Sequence, residues 1–272
     1  MTKLIIFTCI IFVMAAVYGA GEKESHGKAG KVKIYQMTWE SDNVSGSLYV
    51  NGFLINTFKG TQDTGTAPLN VWLAGNNEFT AELKKAKGTE EARISIGLSE
   101  MYRGEVGSTS SSGSVFTIEK KNADFVGSKT VKISRKFKSS IDFTGRFNGK
   151  GAAGEKDIIE YAKKVHNIIK KKDKAGIARE FAPKIEDYAK SFSNEDVYDE
   201  VKNSLIENLT GGSDKLADIN PGSLKAIKAG TGSGTWHVVE GGKELIRFTS
   251  PQGSSDLPVY IGTVNGSLKV IR

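Results

Sequence analysis

Three histidines, a scatter of carboxylates and two glycine–serine loops are the residues of this 272-residue chain whose types suit chemistry. His26 lies in a polar stretch with no other ligand type at metal spacing, which makes it an exposed side chain. His166 follows Val165 among apolar residues at helical spacing. A general base there would need a paired carboxylate, and none is recognisable, so the position reads as packing. His237 follows Trp236 on a strand-like run, so the two point to opposite faces. A metal at His237 would need ligands converging from elsewhere in the chain.

Glu195, Asp196, Asp199 and Glu200 cluster at the start of a helical pattern, where negative charge is favourable without any catalytic role. The alternating ligands and glycine turn of a calcium loop are missing. Gly230-Thr231-Gly232-Ser233-Gly234-Thr235 has the look of a phosphate loop, but no lysine follows and it leads into a strand rather than a helix. Gly232-Ser233-Gly234 and Ser110–Gly113 also lack the strand-to-helix turn of a nucleophile elbow. No catalytic residue, metal or cofactor is expected from these motifs. What is left is a ligand pocket, with Trp236, Phe248 and Tyr260 lining a concavity and Arg247 near its rim. The alternative is that these side chains only fill a core.

These residues sit on two differently patterned halves. From 31 to 147 the pattern is short strands. Ser47-Leu48-Tyr49-Val50 and Phe53–Phe58 are joined by Asn51-Gly52, a hairpin turn in which both positions take positive φ. Further strands are expected over 69–73, 78–83, 92–98, 114–119, 130–137 and 141–143, with a flexible loop at Ser108–Gly113. An antiparallel β-sandwich follows. Glycines over 145–154 mark a boundary, with a linker at 148–154.

Residues 155–272 begin with helices. Ile158, Ala162, Val165 and Ile169 share a face, and Asp157 and Lys170–Lys172 complement the dipole. Asp173 caps a short helix. Asn194 caps another, carrying Val197, Val201, Leu205 and Leu209 and ending at Gly211-Gly212. Two hairpins come last, 235–239 with 243–248, and 257–264 with 267–271 around Asn265-Gly266. This is an α+β domain with helices packed on a curved antiparallel sheet.

Met1–Ala20 has one cation, an apolar run from Leu4 to about Tyr18, and small residues at its end, the parts of a cleavable signal peptide. Residues 21–30 form a flexible lead-in. Cys9, the only cysteine, leaves with the signal, so the mature chain has no disulfide and no thiol chemistry. Export to a bacterial periplasm or the medium is expected, with no membrane span in the mature chain. The net charge of +7 is compatible with anionic partners such as membranes, polysaccharides or nucleic acid. Charges of both signs are interspersed, however, so the lysines read as solvated faces and no nucleic-acid partner is expected.

Two resemblances fit these halves. Val50-Asn51-Gly52, Pro68-Leu69-Asn70-Val71-Trp72-Leu73 and Gly75-Asn76-Asn77-Glu78-Phe79, within residues 47–83, resemble the jelly-roll domains that accompany glycoside hydrolases. Residues 155–272 resemble the cone-shaped NTF2-like family in their long first helix, in Asp173–Pro183, and in the late hairpins ending Val264–Ile271. They depart from it in the stretch 211–234. The family includes isomerases, dehydratases and pure binding proteins. The expected function is therefore that of an exported, non-enzymatic binding protein for a small ligand or an envelope protein. The alternatives are a hydrolase or isomerase using the C-terminal pocket, and carbohydrate recognition by the sandwich through Trp39 and Trp72.

Overall fold

The computed structural model describes residues 32–89, 91–102, 113–128, 130–143, 153–192, 197–211, 215–230, 234–250 and 253–272. The expected signal peptide and lead-in, Ser108–Ser112, and 148–152 of the linker lie outside them. So do Asn194, Glu195, Asp196, Gly232 and Ser233. The described residues fall into two compact units, within Ala29–Gly145 and Arg146–Arg272.

In the first unit apolar alternation drives the strands. β1 (Lys33–Asp42) buries Ile34, Met37 and Trp39, β5 (Asn76–Lys85) buries Phe79, Ala81 and Leu83, and β6 (Arg93–Tyr102) buries Ile94, Ile96 and Leu98. β1 and β6, with β4 (Asp63–Pro68) and β7 (Gly113–Lys120), build a sheet of order β4-β1-β6-β7. A second sheet, β3-β2-β5-β8, adds β2 (Val44–Val50), β3 (Phe53–Lys59) and β8 (Val131–Lys138). All pairings are antiparallel. The sheets meet where Phe116 of β7 packs on Phe79 of β5 and Phe137 of β8, at ring separations of 5.4 and 6.0 Å. Asn51 and Gly52 take φ of 52° and 77°, as the hairpin turn requires.

Three expectations need correction. Residues 69–73 are not a strand but enclose a 3-10 turn over Asn70–Trp72. The Asn70 side chain accepts from Tyr35 N–H and donates to the Lys33 carbonyl, each at 2.9 Å, so side-chain bonds replace a ladder. Residues 141–143 are irregular, not a strand; Phe143 N–H donates to the Leu73 carbonyl at 2.9 Å. β4 was not anticipated, because Asp-Thr-Gly-Thr-Ala-Pro carries turn residues. Pairing with β1 makes it a strand, and the Trp39 indole lies over Gly65, where a Cβ would come within 2.4 Å of the ring.

The second unit has four helices among the described residues: α1 (Glu155–Lys170), α2 (Lys174–Glu180), α3 (Ala182–Phe192) and α4 (Tyr198–Thr210). Asp157 reaches back to Gly154 N–H at 3.1 Å, and Asp173 caps α2 through Gly176 N–H at 2.9 Å. Val197, not a polar residue, holds the cap position of α4. α1 buries Ile158, Ala162, Val165 and Ile169. The strands that follow are β9 (Lys215–Leu216), β10 (Leu224–Ala229), β11 (Thr235–Glu240), β12 (Lys243–Glu244), β13 (Ile246–Ser250), β14 (Gly253–Leu257), β15 (Tyr260–Val264) and β16 (Ser267–Val270). They form one sheet of order β10-β11-β15-β16, with β12 beside β11, and a small sheet β14-β13-β9. α1 lies against β10 and β11, and α3 against β16.

The expected long hairpin over 235–248 is only partly formed. β12 pairs with β11 for two residues, then β13 leaves for the small sheet. Consecutive Leu245 and Ile246 are both fully buried, which one strand with a single buried face cannot accommodate.

Candidate functional site

β11 sets the candidate site. The Gly241-Gly242 turn, both at positive φ, puts Val239 opposite Glu244 and Glu240 opposite Lys243. His237 is then the diagonal neighbour of Glu244 on the same face. His237 Nε2 and Glu244 Oε2 are 2.7 Å apart, with both side chains largely buried. β15 supplies Tyr260 directly across from His237, and their rings stack at 4.6 Å with 25° between planes.

Glu244 extends the chain of contacts. Its carbonyl accepts from Arg247 Nη1 at 2.6 Å, and Arg247 Nη2 is ion-paired with Glu240. Glu240 also accepts from the Asn220 backbone N–H and, at 3.5 Å, from Ser223 Oγ. Burial alone would push the Glu240 carboxyl upward. The Asn220 N–H and the Arg247 guanidinium outweigh it and hold the group below its usual range.

Of the four residues expected to form a pocket, the fold brings two into this chain. Tyr260 joins through His237, and Arg247 through Glu244. Trp236 does not join: it pairs across with Lys228 and Ile261 on the opposite face from His237, and Lys228 Nζ lies 5.6 Å from its ring centroid. Phe248 sits buried in the small sheet opposite Leu216 and Ser255. Sequence reasoning missed the partner of His237, although a Gly-Gly turn read for register would have indicated Glu244.

His166 on α1 is buried and donates from Nε2 to the Ala217 carbonyl at 2.9 Å. Burial lowers its pKa and keeps it neutral, a packed and satisfied histidine.

A second polar cluster lies where α1, α2 and β16 approach. Glu180, at the end of α2, is 3% exposed. Its Oε1 accepts from Lys164 Nζ and from Arg179 Nε, each at 3.0 Å; its Oε2 accepts from Tyr161 OH at 2.9 Å and Lys269 Nζ at 3.4 Å. Burial pushes the carboxyl up, but the hydrogen bonds from Lys164, Tyr161 and Arg179 and the charge of Lys269 prevail and bring it down to about 2. Burial and the Glu180 charge together raise the Tyr161 hydroxyl, which stays protonated. Asp187 of α3 forms a further buried ion pair with Arg272.

No group of three His, Cys, Asp or Glu among the described residues could hold a metal ion. No described helix is long and apolar enough to cross a membrane. Comparison with family models, with curated proteins and with solved structures finds no match. The site must therefore be read from its own chemistry. When His237 Nε2–H donates to Glu244, the imidazole is held in one tautomer and Nδ1 carries the lone pair. The contact with Glu244 is made through Nε2 and leaves Nδ1 outside it. Nδ1 can accept a hydrogen bond from a ligand, or a proton.

Proposed function

We propose that the chain is an exported, non-enzymatic binding protein, with a jelly-roll-like N-terminal β-sandwich and an NTF2-like C-terminal α+β domain. The signal-like run before Gly21 and the cysteine-free remainder support export to a periplasm or the medium. The ligand, a small polar molecule or a polar group on an envelope protein, sits against the Tyr260–His237–Glu244–Arg247 chain. One observation carries this reading. His237 is held between a carboxylate and a stacked ring, and the neighbouring Arg247 is matched by Glu240, so the group is fixed in place with one ring nitrogen left to accept. Such a fixed acceptor selects a ligand by its donor.

Ligand-observed NMR with a library of polar fragments is expected to give binders that His237→Ala abolishes. Binders indifferent to that substitution overturn the reading.

The 2.7 Å His237–Glu244 contact favours a second reading, a hydrolase or isomerase with His237 as general base. Turnover of simple esters, lactones or glycosides that disappears in His237→Ala would establish it in place of the first. Carbohydrate recognition by the N-terminal unit has lost its motivating residues. Trp39 and Trp72 are 4% and 6% exposed and offer no stacking face.

A further inference from the structure

The cluster around Glu180 holds more positive charge than its carboxylate needs. One anion would be neutralised by one cation, yet three reach it: Lys164 from α1, Arg179 from α2 and Lys269 from β16. The cluster keeps an excess of two positive charges, and Glu180 lies beneath it, 3% exposed, with both oxygens occupied. Lys164 and Arg179 are 53% and 61% exposed, so their outer sides face solvent.

We infer that Lys164, Arg179 and Lys269, gathered by Glu180, form a binding site for a phosphoryl group, either a phosphate monoester or inorganic phosphate. The geometry supplies three requirements. Lys164 Nζ and Arg179 Nε share the Glu180 Oε1 atom at 3.0 Å each, so the two nitrogens lie no farther apart than twice that distance. Two oxygens of one phosphate can meet both groups. Arg179 uses only Nε internally, which leaves Nη1 and Nη2 without a partner among the described residues and available as a planar fork. Lys269 is tied to the Arg179 carbonyl at 3.1 Å as well as to Glu180, which holds the end of α2 to β16 and fixes the third charge. An excess of two positive charges matches a phosphate dianion. Glu180 acts as a positioning residue: it orders flexible cationic chains in advance, lowering the entropy cost of binding.

The test is calorimetric titration of the mature chain with inorganic phosphate and with phenyl phosphate. Both are expected to bind with one-to-one stoichiometry. Arg179→Gln and Lys164→Gln should each weaken binding by about tenfold or more, the loss expected for one charge-assisted contact. Arg179→Lys should restore part of it. Both side chains are more than half exposed, so the variants should fold, and circular dichroism checks this. Lys132→Gln, an exposed lysine paired with Glu82 in the other unit, should change nothing.

Vesicle co-sedimentation then separates the sources. Phosphatidic acid binding that Arg179→Gln abolishes, with phosphatidylglycerol inert, assigns a lipid headgroup. Binding of the soluble phosphates alone assigns a free ligand. Absence of phosphate binding, or equal weakening in Lys132→Gln, overturns the inference.

Discussion

Glu180 is the residue whose environment most departs from that of an ordinary carboxylate. Its pKa is about 2 in the folded chain against an ordinary 4.5. A lowered folded-state pKa means the ionised group stabilises the fold at every pH above the unfolded value. That contribution fades as pH falls from about 4.5 towards about 2. Glu180→Gln leaves three cations gathered round a neutral amide. Two of them are half in solvent, so the loss at neutral pH should be about 1–2 kcal/mol rather than the larger cost of a deep ion pair. Urea midpoints measured across the acid range should fall for the parent chain between about pH 4.5 and 2, and change less for the variant. Parallel curves would remove Glu180 from the acid sensitivity. His237 differs in kind: its setting is geometric, a single contact and a stacked ring, and its test is ligand binding.

At the scale of elements, side-chain amides hold the ends of strands in the first unit. Asn51, at positive φ in the β2–β3 turn, donates to the Trp72 carbonyl and to Asn77 Oδ1, both at 2.8 Å, and accepts from Glu78 N–H at 2.9 Å. Asn77 in turn accepts from Ala74 N–H and donates to Ser139 Oγ. One hairpin turn, one 3-10 turn and the start of β5 are thereby joined. Asn51→Ala removes these bonds and strains the left-handed backbone, so about 2–4 kcal/mol of stability should be lost. Asn51→Gly keeps the backbone freedom and should fall between parent and alanine variant in chemical unfolding. Equal losses in the two variants would show that the turn conformation contributes nothing.

For the whole molecule, the proposed export has the simplest test. The mature protein recovered outside the cytoplasm should begin close to Gly21 by intact mass and take up no maleimide, because Cys9 is the only thiol. Recovery of the chain in the cytoplasm alone, still carrying Met1–Ala20 and labelling at Cys9, would end the export reading. The sequence by itself determined what depends on neighbours along the chain. Asn51-Gly52 and Asn265-Gly266 make tight turns, Asp173 caps α2, and the helical periodicity of 158–169 makes one buried face. Positive φ, a free N–H and a 3.6-residue period are local properties. Tertiary structure decided what depends on register and on faces. Whether 69–73 extends a sheet was settled by the amide of Asn70, and where the strand after β12 goes by the burial of Leu245 with Ile246. The candidate sites belong to this second class. Lys164, Arg179, Glu180 and Lys269 come from two helices and a strand, and Tyr260 reaches His237 only across a sheet. Charges and rings far apart in sequence act together once packing has fixed which faces meet, and no local pattern encodes that.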